Sequence, residues 1–185
     1  MASLPNPRTV TYEEWLRMPE VTDFIEEVVD GEIRIMPPNK WEHALIAQRI
    51  CNAFCAQTDS HEVLVLATVF GLVIRKAPLT SRIPDVAVFR KSTIIEQDGY
   101  VHSAPQLVVE VLSPGNTRRE RERKLADYAS LGIPEMWVVS PEARTVEVLY
   151  LESGFLRSAQ VLAQGVLEPR HFPGVQIQVA EIWPD

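Results

Sequence analysis

The stretch LVVEVL, residues 107–112, restricts the fold more than any other part of the chain. A strand with one wet face alternates apolar and polar residues. A run that is aliphatic except at one position describes a strand covered on both faces, at the centre of a layered sheet. The exception is Glu110. An ionised carboxylate left alone in such a place costs several kcal/mol, so these groups are paired, neutralised or bound to a metal. The same oddity occurs in PDVAVF, residues 84–89, where Asp85 enters another apolar run.

The surrounding sequence supplies the layers. Thr11 with Glu14 forms a capping box that opens a short helix, ended by Pro19. FIEEVVDGEIRIM reads as a hairpin turning at Asp30-Gly31. Ala44, Leu45, Ile46, Ala47, Ile50, Cys51, Phe54 and Cys55 form the apolar stripe of a helix over 40–57. Three strand candidates follow: HEVLVLATVFGLVIR, SRIPDVAVFR and PQLVVEVLS. A second capping box, Thr117 with Glu120, opens a helix that Gly132 and Pro134 stop. EMWVVS and TVEVLYL pair around Pro141-Glu142, and the remainder to VQIQVAEIW reads as further strand and a last turn. The order predicts an α/β (α+β) fold, a mixed central β-sheet flanked by helices. With 185 residues and no dividing linker, one domain is expected. It divides into an N-terminal helix and hairpin over 11–36, a core over 40–150 and C-terminal strands over 151–185.

Strand alternation places Asp85, Ala87 and Phe89 on one face, and Val108, Glu110 and Leu112 on one face. If the strands are neighbours, the two acids converge, and like charges that close need a cation between them. An oxygen donor set of this kind suits Mg²⁺ or Mn²⁺. Lys124 lies two turns into the second long helix, and helical side chains lean back toward the N-terminus, so its amine can reach the end of the strand that carries Glu110. There it can stabilise developing negative charge or orient a water. Glu27 in the leading hairpin is a fourth candidate, since Glu26 and Glu27 face opposite ways. His43, early on the first long helix, is a candidate for supporting the site.

The formal net charge is −7, which disfavours binding nucleic acid through the whole surface. TRRERERK, residues 117–124, is a local exception with five basic residues against two acidic ones. Arg118, Arg119, Arg121 and Arg123 are candidate phosphate contacts, and the helix N-terminus at Thr117 is a further one. No apolar run approaches the roughly 20 residues of a membrane helix, and MASLPNPRTVTYEEW has no apolar signal core. The expected compartment is the cytoplasm, with Cys51 and Cys55 as unpaired core thiols. These cysteines have no zinc-like spacing to His43 or His61.

Acid strand, acid strand and lysine helix, in that order, resemble the PD-(D/E)-x-K nuclease superfamily. More narrowly, EVVDGEI, the helix entry with His43, IPDVAVF, PQLVVEVLSPGNTRRERERKLADYASLGIPEMWVV and TVEVL resemble the Uma-type family of restriction-endonuclease-like bacterial proteins, over residues 11–182. The resemblance implies a restriction-endonuclease-like core. It implies Asp85 and Glu110 as ligands of a divalent metal, Glu27 as a further acid of the same site, and Lys124 as the catalytic lysine. It also implies hydrolysis of nucleic acid, DNA by expectation. Leu112 stands where the parent pattern has lysine, so Lys124 takes that role only if its helix delivers the amine to the same point. Ser140, where the narrower family often has an acid, is read as structural. The alternative is an inactive interaction module on the same scaffold. A homodimer is expected of a nuclease that cuts both strands, and Trp15, Trp41 and Trp183 are candidates for its interface or for packing.

Overall fold

The computed structural model describes residues 9–19, 25–67, 69–115 and 117–184. Thr11 and Glu14 form their reciprocal cap at 3.2 and 2.9 Å and open α1 (Tyr12–Trp15). The strands β1 (Ile25–Val29) and β2 (Glu32–Met36) form the expected hairpin. Its two turn residues, Asp30 and Gly31, have φ of 53° and 84°. That is the mirror-image turn whose twist matches a hairpin's strands. Phe24, the first residue of the predicted hairpin, lies outside the described residues. The first long helix, α2 (Trp41–Gln57), follows.

Next come β3 (Val63–Leu66), β4 (Leu72–Lys76), β5 (Leu79–Arg82) and β6 (Val86–Arg90). A small hairpin, β7 (Glu96–Gln97) and β8 (Tyr100–Val101), precedes β9 (Leu107–Val111). The second long helix is α3 (Arg118–Leu131), capped by the Thr117 hydroxyl and ended by Gly132 at φ 86°. Then follow β10 (Glu135–Ser140), β11 (Thr145–Glu152), β12 (Phe155–Leu162), β13 (Val166–Leu167), β14 (Ile177–Gln178) and α4 (Val179–Ile182).

The mixed α/β architecture is as expected, but among the described residues twelve strands form two six-stranded sheets, with β13 and β14 as a separate pair, where one central sheet was predicted. The central sheet runs β12-β11-β10-β9-β6-β3, with β9 and β10 parallel and α3 as their crossover. The other runs β2-β1-β5-β4-β8-β7. The stretch HEVLVLATVFGLVIR is not one strand: β3 belongs to the central sheet and β4 to the other. SRIPDVAVFR divides likewise into β5 and β6. Pro84 has no N–H to give a ladder, so Ile83–Asp85 becomes the link where the chain changes sheets. Asp85 therefore stands one residue before β6, not inside it.

All five residues of β9 are buried. Val109 and Val111 pack with Val86, Val88 and Trp137 under Ile46, Ile50 and Phe54 of α2. Val108 packs on the other face with Ala87, Phe89, Met136, Tyr128 of α3, and Leu72 and Ile74 of the second sheet. Each such side chain contributes about 1.5–3 kcal/mol on burial. This two-sided cover fixes which way Glu110 points: it shares the α3 side with Val108. Trp183 joins the core, Trp15 is half-buried with its ring centroid 4.3 Å from that of Tyr100, and Trp41 stays 65% exposed. Cys51 is buried, but Cys55 is exposed rather than a core thiol. Among the described residues no helix is long and apolar enough to cross a membrane.

Candidate active site

The ladder between β6 and β9 ends with Val86 opposite Val109, and one further step brings position 85 beside position 110. On this β6 side, where the ladder has ended, the Val111 N–H donates to Asp85 Oδ2 at 2.7 Å. The same oxygen lies 3.2 Å from His43 Nε2, in the first turn of α2. Burial lowers the His43 pKa, but the hydrogen bond and charge of Asp85 outweigh it and leave the imidazole above its ordinary value. The other ring nitrogen, Nδ1, is buried without a partner among the described residues.

Glu110 is held from α3. Its Oε2 accepts from Lys124 Nζ at 2.7 Å and its Oε1 accepts from the Tyr128 hydroxyl. Lys124 and Tyr128 are one helical turn apart, so one face of α3 grips both oxygens. Lys124 also lies 3.8 Å from Glu27 Oε1 and is only 12% exposed. The amine therefore stands between Glu110 and Glu27. Burial opposes its charge, yet the two carboxylates hold its pKa above the ordinary lysine value. Glu110 goes the other way. Burial first, then the charges of Asp85 and Glu27, push it up to about 7 against the pull of Lys124. Three acids stand around this ammonium, with Arg82 also on Glu27 and His43 also on Asp85.

Glu27, 1% exposed, sits behind that amine. Its Oε1 accepts from the Ile83 N–H at 3.0 Å and its Oε2 from Arg82 at 2.9 Å. Arg82 is wholly buried and also donates twice to Asp127 Oδ2, at 2.9 and 2.6 Å. Asp127 Oδ1 takes Arg75 at 2.8 Å, and Asp30 links Arg75 to Arg123. A chain of alternating charge thus runs from the β1–β2 hairpin through β5 to α3. It leaves none of these buried ions alone, the condition under which such groups are tolerated.

Asp85, Glu110, Lys124 and His43 line one cavity of about 90 Å³. Three of the four acid and lysine candidates and the supporting His43 thus share this cavity, and the fourth, Glu27, lies behind the amine. Among the described residues no three His, Cys, Asp or Glu side chains come close enough to cage a metal by themselves. Two carboxylates on one cavity are the available donor set. The arginines divide. Arg121 is tied to Glu147 and Arg123 to Asp30, so neither is a free phosphate contact. Arg118 pairs with Glu122 on the helix surface, while Arg119 is exposed and without a partner among the described residues.

The family model described as "Putative restriction endonuclease" matches residues 12–180. The chain belongs to the Uma2 family. The fold agrees with the crystal structure of a "putative nuclease belonging to DUF820" from Anabaena variabilis, at a TM-score of 0.76 and 19% identity, covering 94% of this chain and 97% of that one. The restriction-endonuclease-like fold expected from the sequence is thus found. No curated protein matches the chain significantly.

In this Uma2 chain, sequence reasoning missed Arg82, Asp127 and Tyr128. Two of them carried a signal: Asp127 and Tyr128 stand three and four residues after Lys124, on the helix face it occupies. Arg82 lies at the start of the strand candidate SRIPDVAVFR with no local sign of burial, and only its two distant acids explain it.

Proposed function

We propose that the chain is a metal-dependent nuclease that hydrolyses phosphodiester bonds of DNA at the cavity between β6, β9 and α3. The observation that supports this best is the meeting of Asp85, Glu110 and Lys124 on one cavity with Glu27 behind the amine. The donor chemistry fits Mg²⁺ or Mn²⁺: two carboxylates, offering oxygen donors, on one cavity, with Glu110 pushed up to about 7 first by burial and then by the charges of Asp85 and Glu27. Asp85 and Glu110 would hold the ion, which supplies Lewis-acid polarisation of the phosphate and a water of lowered pKa. Lys124 steadies negative charge developing on the phosphate, and its ammonium is kept protonated by its acidic neighbours. Glu27, fixed by Arg82 and the Ile83 N–H, sets the position of that amine. His43 fixes the carboxylate of Asp85. Arg118 and Arg119, at the exposed start of α3, are the candidate contacts to flanking phosphates.

The test is cleavage of supercoiled plasmid and of circular single-stranded DNA with Mg²⁺ or Mn²⁺. Wild type is expected to cut, and Asp85→Ala and Lys124→Ala to lose at least 100-fold, the scale of one lost electrostatic contact to a transition state being about 10²–10³. Equal activity in all three would remove the reading. A non-catalytic module is the second reading, because Lys124 bridges Glu110 and Glu27, and Arg82 also pairs with Glu27, so these two acids already have protein partners. Calorimetry with Mn²⁺ separates the two: the module shows no binding that Glu110→Ala removes.

A further inference from the structure

The small candidate cavity has a larger neighbour. A cavity of about 490 Å³ lies between the start of α2, the loop after β9 and the β10–β11 turn. It shares His43 and Ser113 with the catalytic cavity. On its far side it shares Glu42 and Pro141 with a third cavity of about 210 Å³, which is lined by Arg144 and Trp183. The three are neighbours through shared walls, the first holding Asp85 and Glu110 and the third Arg144 and Trp183.

The middle cavity is of ligand size, within the roughly 300–1,000 Å³ of small-molecule sites. Its walls suit a flat, polar-edged group. Leu112, Pro114 and Pro141 offer apolar surface, and Ser140 and Glu142 offer hydrogen-bonding groups. Its charges do not favour a phosphate, since Glu42 and Glu142 stand against Lys40 and a His43 whose Nε2 is already turned to Asp85. The same carboxylates are acceptors for the amino groups of a base, as glutamate is for cytosine N4. Trp41, next in the chain to Lys40 and Glu42 of the cavity wall, is left 65% exposed. An exposed indole beside a nucleic-acid track is a stacking platform for an unpaired base, worth about 1–3 kcal/mol.

We propose that the 490 Å³ cavity takes the unpaired, amino-bearing base of the nucleotide adjoining the cleaved phosphate, so that the substrate is single-stranded or locally unpaired DNA. A base can enter a side pocket only when it is out of the duplex stack. This rests on the nuclease reading for its adjoining phosphate. It adds what that reading leaves open, the strandedness of the substrate and the residues that read it. The guanidinium of Arg144, 5.9 Å from the Trp183 ring, then waits for the next unit of the strand in the third cavity.

The experiment is fluorescence anisotropy in EDTA with eight-nucleotide oligo-dC, oligo-dT and a duplex of the same length, followed by steady-state cleavage of the same strands with Mn²⁺. Wild type is expected to bind oligo-dC at least tenfold more tightly than duplex and more tightly than oligo-dT, which has no exocyclic amine. Ser140→Phe, which narrows the cavity, is expected to raise KM about tenfold with kcat within twofold and with Mn²⁺ affinity by calorimetry unchanged. Glu142→Ala, at an exposed position where misfolding is not at issue, is expected to narrow the dC-over-dT preference. Equal affinity for duplex and single strand, or unchanged KM and preference in both variants, would overturn the subsite. The two readings fail differently. Selective oligo-dC binding without any cleavage removes the nuclease and keeps the subsite. Cleavage of duplex and single strand at equal rates removes the subsite and keeps the nuclease.

Discussion

At the scale of single residues, Glu110 carries the most consequence. It is an acid whose pKa is raised in the folded chain, from an ordinary 4.5 to about 7, by burial and by Asp85 and Glu27. Between those pH values the folded protein keeps a proton that the unfolded chain has released. Folding then takes up a proton, and metal-free stability falls as pH rises from about 4.5 to 7, by about 3 kcal/mol in total, levelling above that. Urea unfolding in EDTA at pH 5, 6, 7 and 8 should show this slope, and Glu110→Gln, which has no charge to release, should flatten it. An unchanged slope in the variant would assign the pH dependence to another group. The sequence made Glu110 visible because a carboxylate inside LVVEVL contradicts its surroundings. Asp85, Lys124 and Glu27 stood out on the same logic, reinforced by their order. Arg82 did not, because its burial answers Glu27 and Asp127, which are 55 and 45 residues away in the chain.

At the scale of elements, α3 organises the site. It presents Lys124 and Tyr128 to Glu110, and Asp127 to Arg82, so its rotation and its length both matter. The end of the helix is set by Gly132 in the left-handed region at φ 86°, where no neighbour lies within 4 Å of the place a side chain would occupy. Space is therefore not the constraint there, and the backbone is. Gly132→Ala should cost about 1–2 kcal/mol from the left-handed conformation alone. Thermal unfolding should record that loss, while Mn²⁺ binding at 25 °C stays as in wild type, because the gripping face lies earlier in the helix. A loss of metal binding with unchanged stability would show that the helix end itself shapes the site. Helices α2 and α3, the hairpin and β9 were legible because period and caps are local signals. The second sheet was not. Its strand β5 reads LTSR, three polar residues of four, all buried by contacts that only tertiary structure provides. Its β7 and β8 are two residues each, too short to show a period.

For the whole molecule, the balance of charge sets how it can meet a polyanion. With 25 acidic residues against 18 lysines and arginines, most of the surface repels DNA. Attraction has to come from a few placed cations and from contacts that release no counterions. Of the α3 arginines, Arg121 and Arg123 are committed to Glu147 and Asp30, Arg118 leans on Glu122, and Arg119 is exposed and unengaged among the described residues. The dependence of oligonucleotide affinity on salt should accordingly be shallow. Each neutralised phosphate on a single strand contributes a slope of about −0.7 in log K against log salt. Arg119→Ala should reduce the slope by about that amount and weaken binding more at 50 mM salt than at 200 mM. Glu142→Ala should leave the slope alone, since a base-edge contact displaces no condensed ions. Anisotropy titrations over that salt range separate the two contributions. If Arg119→Ala keeps the wild-type slope, the strand does not pass the start of α3, and its path must leave the catalytic cavity on the side of the β10–β11 turn alone.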